Sequence, residues 1–145
     1  MRLPTVRVAV VLLSCLLLSC GGEGLVISFD EELPPSFRYK GNRWAECCKN
    51  LNFFVVSEVP PDNPAKEGKY IWWIWPKDTA QSESYNLPTF TYGKVPDGWR
   101  QTIPENGEPP PLVEGKTYEA GGNFHSGQDA HLRFTIRGGK AVKLQ

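Results

Sequence analysis

Tyr70-Ile71-Trp72-Trp73-Ile74-Trp75 is an unbroken apolar and aromatic run between Gly68 and Pro76. A run this short, rich in aromatic and β-branched residues and closed off by turn-formers, reads as a strand rather than a helix. Because it is apolar at both parities, it is expected to be covered on both faces, as a central strand under an overlying loop would be. Immediately upstream, Phe53–Val59 (FFVVSEV) has the same character and stops at Pro60-Pro61. The stretch between them, PPDNPAKEGK, reads as a long hairpin loop. Further out, Leu25–Phe29 and Phe37–Tyr39 are extended candidates on the N-terminal side, with the acidic Asp30–Glu32 ending the first. On the C-terminal side lie Leu87–Tyr92, a weakly pairing Tyr118–Ala120, and Ala130–Ile136. In the last of these, Leu132, Phe134 and Ile136 alternate with His131, Arg133 and Thr135, the period of a half-buried strand. Gly138-Gly139 then turns the chain into a final strand, Ala141–Leu144.

The first residues are of another kind. Arg2 and Arg7 precede the uncharged Val8–Leu18, a stretch of export-signal length and too short to span a bilayer as a helix. Leu17-Leu18-Ser19-Cys20 resembles the lipobox of bacterial lipoprotein precursors, which implies a leader over 1–19, a diacylglyceryl group on the sulfur of Cys20, and a tether over 20–24 ahead of one domain over 25–145. A second copy, Leu12-Leu13-Ser14-Cys15, would leave an apolar core of only Val8–Leu13, below the usual length, so Cys20 is preferred. Gly21, where an Asp in related enterobacterial lipoproteins signals inner-membrane retention, points to the outer membrane, facing the periplasm. Removing 19 of 145 residues leaves 126, the size of one ordinary domain. The leader takes two of the 16 basic residues and none of the 16 acidic ones, so the mature charge is −2. With no basic tract to neutralise phosphates, nucleic acid is not expected as a partner.

All 14 Gly and 12 of the 13 Pro fall after the leader. Punctuation that dense forbids long helices, and apolar runs between turn signals indicate an all-β sandwich or barrel. At Thr89–Trp99 (TFTYGKVPDGW), followed by the Pro-laden Pro104–Pro111, Leu112–Tyr118 (LVEGKTY) and Phe134–Val142 (FTIRGGKAV), the chain resembles small periplasmic lipoproteins of Gram-negative bacteria that carry an immunoglobulin-like sandwich. The resemblance covers Ile71 to the C-terminus and implies fold and address, without an activity. The expectation is an immunoglobulin-like antiparallel β-sandwich of about seven strands, lacking the Cys-Trp-Cys pattern of antibody domains.

Candidate chemistry is sparse. His125, Asp129 and His131 lie close together in FHSGQDAH, and two imidazoles with a carboxylate suit zinc, although the spacing fits no familiar ligand motif. The alternative is a hairpin turn over Ser126–Asp129 with His131 on a polar strand face. Ser126 has His and Asp neighbours but no GxSxG elbow, and no Walker loop, HExxH or dinucleotide fingerprint occurs. Neither catalysis nor a cofactor is expected. Cys47-Cys48 could form a strained, easily reduced bridge. Against this, Trp44, Cys47, Cys48 and Leu51 have the spacing of one helix face, on which both thiols would pack as small apolar groups. Seventeen aromatics allow a stacking surface if several are exposed, with Trp73, Trp75 and Trp99 the first candidates; otherwise they form a dense core. The reading is a membrane-anchored, non-catalytic binding or envelope-structural module. Its partners are the bilayer through acyl chains and an envelope protein or glycan. The rival readings are a glycan- or peptidoglycan-binding module using exposed Trp and a small hydrolase or metal protein.

Overall fold

A computed structural model describes residues 26–40, 50–63, 66–83, 87–125, 127 and 129–145. Nine strands form within them: β1 (Val26–Phe29), β2 (Ser36–Lys40), β3 (Phe54–Val59), β4 (Lys69–Pro76), β5 (Phe90–Thr91), β6 (Trp99–Ile103), β7 (Thr117–Asn123), β8 (Asp129–Arg137) and β9 (Lys140–Lys143). The only helical piece among the described residues is a 3-10 turn, Thr79–Ser82. Every strand pairing is antiparallel. A three-stranded sheet, β1-β2-β5, packs on a six-stranded one ordered β6-β4-β3-β7-β8-β9. The expected all-β sandwich is the observed architecture. Its partition is six and three, where an immunoglobulin constant-type domain has four and three.

The core fills the space between the sheets. Phe37 of β2 and Phe90 of β5 meet Phe54, Trp72, Tyr118 and Phe134 from the larger sheet, all fully or almost fully buried. Phe54 and Phe90 stack with ring centroids 4.4 Å apart, and Phe134 packs against Phe37 at 5.6 Å and Tyr118 at 5.5 Å. Each such side chain contributes about 1.5–3 kcal/mol by leaving water. On β8, Leu132, Phe134 and Ile136 point inward as their alternation requires, while His131 and Arg133 face out.

Three elements depart from the reading of the sequence. Strand β6 was not foreseen, because Trp99-Arg-Gln-Thr-Ile103 carries a bulge at Thr102 that breaks its alternation. Strand β7 is a full central strand, paired with both β3 and β8, where only weak pairing over Tyr118–Ala120 was expected. Strand β4 is flanked by β6 and β3, and a bulge inserts Ile71 opposite the Val56/Ser57 step, so that Ile71, Trp72 and Ile74 all reach the core. Its other face is covered by neighbouring aromatic side chains rather than by an overlying loop, and remains half-buried.

Candidate functional site

The solvent side of a two-layer sheet ordinarily carries polar side chains. In the six-stranded sheet it carries an aromatic ridge. Alternation and the Ile71 bulge send Tyr70, Trp73 and Trp75 of β4 outward, joined by Phe53 just ahead of β3. Trp73 lies 4.9 Å from Phe53, 4.6 Å from Tyr70 and 5.6 Å from Trp75, its plane only 17° from the last. The Trp75 indole donates to Thr102 Oγ1 at 3.1 Å, and that hydroxyl donates to the Trp73 carbonyl at 3.3 Å, which fixes the Trp75 ring to β6. The Trp73 indole N–H is buried without a protein acceptor.

The ridge separates two depressions. One is a shallow hollow of ≈ 440 Å³ with Trp73, Trp75, Arg100, Thr102 and Ile103 around it. The other is a cleft of ≈ 480 Å³ floored by Val55, Ser57 and Val59 and walled by the 66–68 segment with Tyr70 on one side and by Glu119, His131 and Arg133 on the other. Two glycines shape this cleft by having no side chain. A Cβ on Gly68 would lie 2.6 Å from the Glu58 carbonyl and 3.0 Å from Ser57 Oγ, so only Gly lets that segment close over β3. A Cβ on Gly121 would lie 2.7 Å from His131 Nδ1, so the imidazole lies over bare backbone.

Donors and acceptors of both kinds converge in the cleft. Arg133 Nε donates to Glu119 at 2.7 Å, and His131 Nδ1 lies 3.8 Å from the same carboxylate. At the far end Asn52 donates to Asn123, Asn123 donates to Asp129 at 2.6 Å, and His125 Nδ1 lies 3.1 Å from Asn52 Oδ1. The Tyr70 hydroxyl donates to Glu67. That bond, then burial, then the charges of Glu67 and Glu119 raise the Tyr70 pKa above the ordinary phenol value, so it stays a neutral donor.

Of the residues singled out from the sequence, Trp73 and Trp75 sit side by side on this face. Trp99 does not join them: it is 2% exposed, because the first residue of β6 points inward, and it packs edge-on to Phe90 at 5.0 Å. Asp129 and His131 line the cleft and His125 does not, and each of the three turns to a different partner. Among the described residues no group of three or more His, Cys, Asp or Glu is placed to hold a metal ion. Cys20, Cys47, Cys48 and Ser126 lie outside the described residues. Sequence reasoning missed Phe53, Tyr70, Arg100, Glu119 and Gly121. The shared parity of Phe53, Val55 and Ser57 was a usable signal, whereas the others needed the cross-strand register. Comparison with protein-family models, curated proteins and solved structures finds no match to this chain.

Proposed function

We propose that this chain is a lipid-anchored envelope protein that binds glycan, without catalysis, on the outer face of its six-stranded sheet. Acyl chains on Cys20 hold it to the outer membrane, with the domain in the periplasm. The observation that carries the glycan reading is the Phe53–Tyr70–Trp73–Trp75 ridge standing between a polar cleft and a shallow hollow. A sugar ring has an apolar C–H face and a rim of hydroxyls. The first packs by dispersion and water exclusion on an indole or phenol plane, and the second requires intermixed donors and acceptors of the kind Glu119, His131, Arg133 and Asn123 present. Rings packed on one another are stiff, so little order is lost when a ligand settles on them.

Co-sedimentation with insoluble peptidoglycan sacculi, partly stripped of peptide by an amidase, tests this. The native protein is expected in the pellet. A Trp73→Ala/Trp75→Ala variant is expected to stay in solution with its far-UV spectrum retained, since hot-spot aromatics each contribute about 2 kcal/mol or more to binding. Native protein left in the supernatant, or equal pelleting of the two, would sink the reading.

A further inference from the structure

The charges on this face are unevenly matched. Each carboxylate lining the cleft already accepts from a protein donor: Glu119 from Arg133, Asp129 from Asn123, and Glu67 from the Tyr70 hydroxyl. Two cations lining these depressions are not matched. Lys66 in the cleft wall and Arg100 in the hollow have no side-chain acceptor among the described residues. Arg100 is exposed and stands directly opposite Trp75 in the β4–β6 ladder, which places their Cβ atoms about 4.5–5.5 Å apart. The Trp75 ring beside it is held by Thr102.

From this we infer that the glycan taken up here is acidic: a sugar ring lies on Trp75 while a carboxylate borne by that ring is forked by the Arg100 guanidinium. This rests on the glycan reading above and names its ligand class. A planar guanidinium matches a carboxylate with two parallel N–H···O bonds, and an apolar wall beside it strengthens them by thinning the water around the pair. From Arg100 on β6 to His131 on β8 the sheet crosses four strand spacings, about 19 Å, so the face fits a chain of sugars rather than one. In the compartment to which the Cys20 leader points, the matching polymer is the peptidoglycan glycan strand, whose lactyl groups carry carboxylates once the peptides are removed.

The test uses the full lipidated protein in detergent, titrated with peptide-free glycan strands, with the same strands after conversion of their carboxylates to methylamides, and with oligogalacturonate. Amidation is expected to weaken binding by about tenfold or more, the worth of hydrogen bonds to a charged group. Arg100→Gln is expected to bind both forms of the strand alike and to lose affinity less steeply with salt. Oligogalacturonate is expected to bind more weakly than the free-acid strand. Equal affinity of the native protein for free and amidated strands would overturn acid selection and leave the glycan reading standing; that comparison decides even if Arg100→Gln fails to fold. A variant that still discriminates would remove Arg100 from the contact, and oligogalacturonate binding as well as the strand would overturn the choice of polymer. No binding to any of the three would overturn both readings.

Discussion

Single positions on this fold are decided by parity. Phe134 was legible as a core residue because Leu132, Phe134 and Ile136 alternate without interruption, and the structure buries all three. Trp99 was not, because the strand it opens hides behind the Thr102 bulge and the turn-rich Gly93–Gly98. An aromatic residue outside a recognised strand offers no parity to count from. Trp73 and Trp75 share a parity that Trp72 does not, and β4 is recognisable as a strand in which that parity can be counted. The contrast at β8 is measurable. Phe134→Ala removes a fully buried ring touching Phe29, Phe37 and Tyr118, and is expected to lower stability by about 3–5 kcal/mol. Arg133→Ala removes a partly exposed ion pair with Glu119, and is expected to lower it by no more than about 1 kcal/mol. Urea unfolding of the lipid-free chain compares the two, and equal small losses would mean that the register of β8 has been misread.

Among the elements, β3, β4 and β8 were readable from composition and period, whereas β7 was not. Its sequence, Thr117-Tyr-Glu-Ala-Gly-Gly-Asn123, places two glycines where side chains usually help to hold a strand. What holds it is pairing on both edges, with β3 and with β8, a property of topology that no local window contains. Both glycines are required by close approach. A Cβ on Gly122 would lie 2.0 Å from the Phe53 carbonyl, and one on Gly121 would lie 2.2 Å from the Ala130 carbonyl. Those neighbours are backbone, so the strands would have to part to admit even a methyl group. Gly121→Ala is therefore expected to destabilise the domain by about 1–3 kcal/mol and to displace the His131 imidazole from the cleft. An unchanged urea midpoint together with an unshifted His131 imidazole resonance would show that β7 and β8 do not meet at this register.

For the whole molecule, the leader and the sheet constrain one another under the proposed function. Five residues, six Cα–Cα steps, separate Cys20 from Val26, the first residue of β1, so a lipid on Cys20 would leave a reach of at most about 20 Å from membrane surface to domain. Under that proposal, a glycan-binding face so close to a bilayer would draw the polymer and the membrane together, which would give the anchor a mechanical purpose beyond address. The anchor would, under the same proposal, rest on Cys20, because the competing Cys15 would shorten the apolar core below working length and leave Leu16–Leu18 at the start of the mature chain. Cys20→Ala is therefore expected to abolish incorporation of labelled fatty acid and to leave an uncleaved or unanchored chain. Cys15→Ala should incorporate label normally and fractionate with outer-membrane markers, as Gly21 behind the lipid cysteine implies. Label retained by Cys20→Ala and lost by Cys15→Ala would move the cleavage site five residues upstream. Recovery of the labelled protein mainly with inner-membrane markers would instead keep the lipid on Cys20 and place the glycan face on the other membrane.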